Sequence, residues 1–326
     1  MHRFCMKSNI RRSSLLWMAV LVLIPATAIH VPGAQAQGEV QRRPQSPVPP
    51  FPYKQREVTY ANPADGIQLF GTLTVPGRPA RHPAVILVPG SGGADRDATA
   101  AGHKPFLVIA DHLTRRSLSV LRVDSRKADK YFESTCEDFA GDVLSGISFL
   151  KKQPDIDTRR IGVIGHSLGG LVAAMVAARS SDVAFLVLLA GVAVPARELS
   201  QMQRAQRLRA RGLSEEEVRR RLESSLALYD RLAAGDDNPA LDAELREFLK
   251  LQLPVAMQVT SQRFEEIVKQ ERATLRSRYY AFLHTSGPRR QAAAPAPDPP
   301  ANPLRVVSAP AAGGPAKAHT APPAAS

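Results

Sequence analysis

Four short apolar runs between residues 84 and 189 constrain the fold of this 326-residue chain more than any other feature. Segments whose apolar residues recur at helical spacing separate the four runs, which are Ala84–Val88, Leu118–Val123, Ile161–Ile164 and Val183–Leu189. A continuous apolar run is typical of a strand buried on both faces. Alternation of such strands with helices predicts a parallel sheet covered by helices on both sides, so the predicted fold class is α/β.

Residues 196–283 differ from this alternating region, because they contain strong helix signals and no β-rich run. Ser214 is followed three residues later by Glu217, a spacing that predicts a capping box at the start of a helix. We therefore interpret residues 55–195 as an α/β core and residues 196–283 as an inserted helical cap. A separate helical domain is the alternative interpretation.

The formal net charge of +13 suggests nucleic-acid binding, but the charge is concentrated at the two ends of the chain. Residues 1–37 carry four positive charges and no negative one, and residues 285–326 carry four positive charges against one negative. The body between them is only mildly basic and contains no nucleic-acid recognition motif. We therefore expect no nucleic-acid partner.

The first 36 residues have the three parts of a secretory signal peptide. A basic start precedes an apolar run over Leu15–Ile29, and small residues follow up to Ala36. We expect cleavage after Ala36, a Pro-rich linker over residues 37–54, and a periplasmic or secreted protein. A retained membrane anchor is the alternative, but the apolar run is shorter than the roughly 20 residues that cross a bilayer. After cleavage we expect no membrane span.

Cysteine usage limits the covalent and metal chemistry of the chain. Of the two cysteines, only Cys136 follows the predicted cleavage site, so no intramolecular disulfide is expected in the mature protein. The sequence shows no cluster of residues with metal-ligand spacing. We expect neither a metal ion nor a cofactor.

A candidate nucleophile lies in the sequence Gly165-His166-Ser167-Leu168-Gly169, which fits the pattern G-x-S-x-G. The pattern directly follows the predicted strand Ile161–Ile164 and opens a predicted helix, as a nucleophile elbow requires. Gly165 and Gly169 lack a Cβ and so relieve the crowding of such a turn. Ser167 would lie at the positive end of the helix, where developing negative charge is favoured. The alternative is an incidental Ser in a Gly-rich turn.

The chain resembles the α/β-hydrolase family, and within it the exported esterases and serine-aminopeptidase-like hydrolases. The resemblance covers about residues 55–283 and is carried by three motifs: PGSGGADRD from Pro89, Gly102-His103-Lys104-Pro105, and IGVIGHSLGG over Ile161–Gly170. It implies an α/β-hydrolase fold with an inserted helical cap. It also implies a small-molecule ester or peptide as substrate.

The same resemblance implies roles for residues around Ser167. The backbone amides of Leu168 and Ser91 are expected to form the oxyanion hole. Asp95 is expected near the mouth of the pocket, where a surface ion-pair turn is the alternative. His103, at a helix start near the oxyanion loop, is expected to line the pocket, and a catalytic base is the alternative. His166 occupies the elbow position, where its side chain is expected to point away from the nucleophile.

The other two members of a catalytic triad are not assigned. In this family the carboxylate and then the His follow the nucleophile on loops after two further strands. Residues 284–326 are 29 Ala, Pro, Gly or Arg out of 43, which is typical of a disordered tail. The last two strands are therefore expected to be absent, with Asp298, His284 and His319 lying in the tail. Two hypotheses explain this: a shifted reading frame near residue 283, or loss of the last third of the fold.

These features predict an exported serine hydrolase, with a carboxylesterase of small acyl esters as the leading interpretation. A serine peptidase of the same fold and a non-catalytic hydrolase remnant or binding module are the alternatives. A third class, a membrane-tethered basic protein, requires that the apolar run at Leu15–Ile29 is retained. Loss of the last strands would expose Val183–Leu189 as an apolar sheet edge prone to aggregation.

Overall fold

The computed structural model of the chain describes residues 45–252, 259–285 and 305–309. The predicted signal peptide, the first part of the predicted linker and most of the predicted tail lie outside the described residues, so these predictions stay untested. Among the helices of the described residues, none has both the length and the apolar character needed to cross a membrane.

A seven-stranded sheet forms the centre of the described chain. Its strands are β1 (Tyr53–Asn62), β2 (Ile67–Pro76), β3 (His82–Val88), β4 (Ser119–Val123), β5 (Ile156–His166), β6 (Val183–Leu189) and β7 (Arg305–Ala309). Their order across the sheet is β1-β2-β4-β3-β5-β6-β7. β2 is antiparallel to both of its neighbours, and all other neighbouring strands are parallel. The predicted α/β fold with a mostly parallel sheet is confirmed.

The first strand begins earlier than the sequence indicates. β1 starts at Tyr53, inside the predicted linker, because the strand pairs with β2 along its whole length, from Tyr53 opposite Pro76 to Asn62 opposite Ile67. The Tyr53 hydroxyl also donates a hydrogen bond of 2.7 Å to Asp111. The linker prediction is therefore corrected at its last two residues.

Nine helices accompany the sheet in the described residues. They are α1 (Pro105–Thr114), α2 (Ala128–Tyr131), α3 (Cys136–Lys151), α4 (Leu168–Arg179), α5 (Ala196–Ala210), α6 (Glu215–Ala233), α7 (Pro239–Gln252), α8 (Ser261–Leu275) and α9 (Arg278–Thr285). α3 and α4 pack on one face of the sheet and α1 on the other.

Burial on both faces explains why the central strands are continuously apolar. Ala84, Ile86 and Val88 of β3 pack with α3 and α4, whereas Val85 and Leu87 pack with α1. Because successive side chains of a strand point to opposite faces, every residue of such a strand has to be apolar. The larger of the two clusters, which holds α3 and α4, is called the sheet core below.

The cap predicted over residues 196–283 contains helices α5 to α9. α6 begins where predicted, since the Ser214 hydroxyl accepts a 3.3 Å hydrogen bond from the Glu217 amide. Ten buried hydrophobic residues of α6 to α9, from Leu228 to Tyr280, form a cluster of their own, called the cap core below. Tyr279 and Leu283 of α9 instead belong to the sheet core, so the cap is anchored to the sheet by its last helix.

The prediction of a tail without a further strand is wrong at residues 305–309. β7 pairs in parallel with β6 over its whole length, from Phe185 opposite Arg305 to Leu189 opposite Ala309. β6 is therefore not an exposed edge of the sheet. A five-residue strand in an Ala- and Pro-rich segment carries too little periodic signal to be found locally, and pairing with β6 defines it.

Candidate active site

Ser167 has the strained backbone of a nucleophile elbow. It lies between the end of β5 and the start of α4 with φ of 53° and ψ of −120°. L-residues rarely adopt positive φ, and such strain is kept only where the surrounding structure determines it. Here the Ser167 amide donates a 2.9 Å hydrogen bond to the Leu189 carbonyl at the end of β6, and its own carbonyl accepts one of 2.9 Å from Gly170.

Glycines make this turn sterically feasible. A Cβ added at Gly165 would overlap the carbonyl of Gly169, and one added at Gly169 would overlap the carbonyls of Val88 and Pro89. At Gly170 an added Cβ would lie 2.8 Å from the Cα of Gly191. The elbow therefore requires glycine at positions where the backbones of β3, β5 and α4 approach one another.

The parallel strands place Ser167 at the carboxyl edge of the sheet. Across this edge His166 lies opposite Leu189, and Leu189 lies opposite Ala309. Open α/β sheets bind their ligands just outside the carboxyl ends of the strands. The carboxyl end of β7 therefore lies at the same sheet edge as Ser167.

The turn Gly90–Gly93, called the oxyanion turn below, lies directly against the elbow. A Cβ added at Gly90 would be 3.2 Å from the Cβ of Ser167. Within the described part of the chain, neither the Ser91 amide nor the Leu168 amide donates a hydrogen bond. Two free amides on either side of Ser167 suit an oxyanion hole, the role that the sequence predicts for them.

Tyr131 supports the oxyanion turn from behind. The amide of Gly92 donates a 3.0 Å hydrogen bond to the Tyr131 hydroxyl, and a Cβ added at Gly93 would be 3.5 Å from the Tyr131 ring. Burial raises the pKa of Tyr131 to about 12, so its hydroxyl stays protonated. Sequence reasoning missed this residue, because nothing local distinguishes a supporting Tyr at the end of α2.

One carboxylate oxygen of Asp95 is bound by the turn that follows it. The residue is exposed, and its Oδ1 accepts hydrogen bonds from the amides of Asp97 at 3.1 Å and Thr99 at 2.9 Å. Partial burial acts to raise the pKa of Asp95, but the hydrogen bonds from Thr99 and Asp97 outweigh it and leave the pKa below its usual value. This geometry gives Asp95 a turn-capping role.

The neighbouring residues hold the loop through ion pairs. Arg96 contacts both carboxylate oxygens of Asp124 at 2.6 to 3.2 Å and also pairs with Glu57. Asp97 pairs with Arg122 of β4, whose side chain is only 3 % exposed. Buried and half-buried charges thus fix the segment Asp95–Asp97 to the sheet. This favours the interpretation of that segment as an ion-pair turn.

No histidine side chain placed in the described residues makes a hydrogen bond to Ser167. His103 is exposed, and its backbone pairs with that of Ala100. His166 is exposed as a residue, although its ring is partly desolvated, which lowers the pKa of the imidazole. The His82 ring bonds the carbonyl of Arg78, at the end of β3 remote from the elbow. The candidates His284, His319 and Asp298 have no described side chain.

Two further observations bear on the chemistry of the described residues. Cys136 is free and buried, and burial raises the pKa of its thiol to about 12, which excludes a thiolate nucleophile at neutral pH. Across residues 45–252, 259–285 and 305–309 no three His, Cys, Asp or Glu side chains are grouped as metal ligands. The expectation of no metal or cofactor stays a prediction.

A model of the alpha/beta hydrolase family matches residues 85–323. The chain belongs to this family. The match includes the oxyanion turn, the elbow, the cap and β7, so it extends into the segment that the sequence places outside the fold.

This α/β hydrolase is similar to esterase EstD of Thermotoga maritima, with 31% identity over 163 residues. That alignment covers 49% of this chain and 37% of the relative, so the chain spans little more than a third of the length of this curated relative. Among solved structures, a hypothetical protein from Pseudomonas aeruginosa is 17% identical with a TM-score of 0.43, and 83% of this chain and 82% of that one are covered.

A dienelactone hydrolase from Anabaena variabilis is 21% identical with a TM-score of 0.37, and 47% of this chain and 68% of that one are covered. TM-scores below 0.5 do not by themselves establish a common fold. The assignment of this α/β hydrolase to its family therefore rests on the family model.

Proposed function

We propose that this α/β hydrolase is an exported serine esterase that cleaves small acyl esters. The observation that carries the proposal is the strained Ser167 at the start of α4, beside two amides that donate no hydrogen bond within the described residues. Similarity to an esterase supports an ester in preference to an amide. A peptidase of the same fold would use the same groups, so the assay below includes an amide substrate.

In the proposed reaction the Ser167 Oγ forms a bond to the carbonyl carbon of the ester, and its proton passes to a base. The carbonyl electron pair moves to the oxygen, and the amides of Ser91 and Leu168 donate hydrogen bonds to that oxyanion. Collapse of the intermediate breaks the ester bond, and the alcohol leaves with the proton from the base. Water then releases the acyl group from Ser167 by the reverse proton transfers.

We further propose that the base comes from the chain after β7. Residues 310–326 contain one histidine, His319, and no Asp or Glu. This proposal is supported by the position of β7, which ends at the same sheet edge as β5 and Ser167, with β6 between them. In serine proteases, disabling the orienting carboxylate lowers kcat about 10⁴-fold. Ester turnover is therefore expected to be slow by a similar factor relative to an intact triad.

The test is hydrolysis of p-nitrophenyl acetate, p-nitrophenyl butyrate and an aminoacyl p-nitroanilide by the full chain. The effects of substituting residues that act as one catalytic unit do not add. Because a missing carboxylate already lowers the rate about 10⁴-fold, Ser167→Ala is expected to lower it only about 10²-fold further. His319→Ala should lower the rates by about the same factor as Ser167→Ala. Ser148→Ala and His112→Ala, which change exposed residues of α3 and α1, should keep wild-type rates.

Three results would each overturn a part of this proposal. Rates in Ser167→Ala equal to wild type would exclude Ser167 as the nucleophile. Faster cleavage of the anilide than of the esters would favour the peptidase. Wild-type rates in His319→Ala would place the base elsewhere.

A non-catalytic remnant is the second candidate, favoured because no described histidine side chain makes a hydrogen bond to Ser167. It predicts no turnover of any of the three substrates and no difference between wild type and Ser167→Ala. Measurable, Ser167-dependent ester turnover contradicts it.

Export is proposed from the sequence of residues 1–36 alone. If the signal peptide is cleaved as proposed, amino-terminal sequencing of the chain from a periplasmic or secreted fraction should begin at Gln37. An amino terminus at Met1 in a membrane fraction would support the retained anchor instead.

A further inference from the structure

Two neighbouring tyrosines of α9 belong to different cores. Tyr279 is fully buried in the sheet core, whereas Tyr280 is 5 % exposed in the cap core. The Tyr279 amide also donates a 3.2 Å hydrogen bond to the Phe132 carbonyl, just after α2. The last helix of the cap is thus fixed against the segment that supports the oxyanion turn.

The Tyr279 ring packs against Tyr131, the residue behind the oxyanion turn. Their ring centroids are 5.4 Å apart, and Phe132 and Phe139 complete the aromatic group at 6.0 and 6.4 Å from Tyr279. The Tyr131 hydroxyl in turn accepts a hydrogen bond from the Gly92 amide, so a continuous set of contacts connects the cap to the oxyanion turn.

Packing of the Tyr279 ring does not by itself require a hydroxyl group at this position. The hydroxyl is inaccessible to solvent, and within the described part of the chain it makes no hydrogen bond of ordinary geometry. Its polar neighbours are the hydroxyls of Tyr131 and Ser91, and burial raises its pKa well above the ordinary value. A buried hydroxyl without a partner destabilises the folded state, and Phe would fill the same aromatic group without that cost.

We propose that Tyr279 is a positioning residue of the oxyanion turn, whose hydroxyl gains its missing hydrogen bond, to the Ser91 side chain, when the turn closes on the oxyanion. The inference rests on the proposed function. An interaction made only in the transition state raises kcat and leaves KM unchanged. Because Tyr279 belongs to the cap helix α9, correct docking of the cap becomes a condition of catalysis.

The test combines ester kinetics with thermal unfolding for Tyr279→Phe in the full chain. We expect kcat for p-nitrophenyl acetate to fall about tenfold with KM within twofold of wild type, since one hydrogen bond in the transition state is lost. We also expect the Tm to stay the same or to rise by a few degrees, since a buried unpartnered hydroxyl is removed. Tyr280→Phe, the same change at the neighbouring residue, should leave kcat within twofold of wild type.

Tyr131→Phe separates this role from a structural one. It leaves the Gly92 amide without its acceptor, so both kcat and Tm should fall. A Tyr279→Phe variant that keeps wild-type kcat, or whose kcat and Tm fall together, overturns the inference and leaves the esterase proposal intact. A wild-type chain without turnover overturns the esterase proposal, and this inference with it.

Discussion

The sheet core and the cap core of this α/β hydrolase differ in what they bury: closely packed backbone in the first, and a titratable carboxyl group in the second. In the sheet core, the backbones of β3, β5 and α4 approach so closely around Ser167 that only glycine fits at Gly165 and Gly169. In the cap core, Glu271 is only 6 % exposed and accepts a 2.9 Å hydrogen bond from the buried Tyr229 hydroxyl. The Arg204 guanidinium lies 4.0 Å above the Tyr229 ring.

The two cores therefore depend on different interactions for their stability. The sheet core fixes backbone positions by steric fit, so its stability should respond to small changes in volume. The cap core keeps a titratable group in a desolvated place, so its stability should respond to pH. Tyr279 connects the two, because α9 contributes to both cores.

The largest effect is expected from Gly169→Ala in the sheet core. Its Cβ would overlap two backbone carbonyls that cannot move without shifting β3, so the free energy of unfolding should fall by about 3 kcal/mol or more. Gly141→Ala in α3 is the matched control, because its Cβ would meet only the Asn62 side chain, at 3.4 Å. The control should be neutral or gain up to about 1 kcal/mol of helix propensity. Equal stabilities in urea unfolding would contradict the steric account.

A smaller loss is expected when β7 is detached from the sheet core. Alternate amides of β7 face β6, so one of Val306→Pro and Val307→Pro should remove a ladder hydrogen bond and lower stability by about 1–3 kcal/mol. The freed edge of β6 should then promote self-association, visible by light scattering after gel filtration. Ala312→Pro, outside β7, is the control. If neither β7 variant differs from it, β7 does not pair as described.

A gain is expected when the strain at Ser167 is released. Gly adopts positive φ without steric cost, so Ser167→Gly should raise the free energy of unfolding by about 1 kcal/mol while it abolishes catalysis. Ser117→Gly, at φ of 68° and distant in sequence from the elbow, should give a similar gain with unchanged activity. A Ser167→Gly variant less stable than wild type would show that the elbow is not strained.

The smallest effect, and one that depends on pH, is expected in the cap core. Burial raises the pKa of Glu271 above its usual value, and the Tyr229 hydrogen bond and the Arg204 charge only partly oppose this. The folded state therefore binds the proton more tightly than the unfolded state. The contribution of Glu271 to the free energy of unfolding is therefore fully present below the ordinary Glu pKa. It is lost as the pH rises through the pKa of Glu271 in the folded state.

Glu271→Gln removes this dependence while it keeps an oxygen for Tyr229. The Tm difference between variant and wild type should therefore increase as pH rises from about 4 through neutrality, starting near the ordinary pKa of Glu. Glu244→Gln, an exposed change on α7, should show no such trend. A difference that stays constant with pH would mean that Glu271 titrates normally.

The sequence predicts most of the sheet and the elbow because their signals are local. Val183–Leu189 is apolar throughout and has the bounds of β6, and the glycines around Ser167 indicate the turn directly. β7 was missed because its definition depends on pairing with β6, not on its own five residues. Tyr131 and Tyr279 were missed because their contact joins α2 to the end of the cap, and no residue pattern records such a distant pairing.

The site at which a fluorophosphonate reacts with the full chain shows directly whether Ser167 is the nucleophile. Ser167 has a strained backbone and lies beside two amides that donate no hydrogen bond within the described part of the chain, so we expect it to be a reactive nucleophile. We expect a single adduct that forms slowly, that peptide mass spectrometry places on Ser167, and that Ser167→Ala abolishes. No adduct after prolonged exposure, or an adduct on another serine that persists in Ser167→Ala, would contradict this expectation.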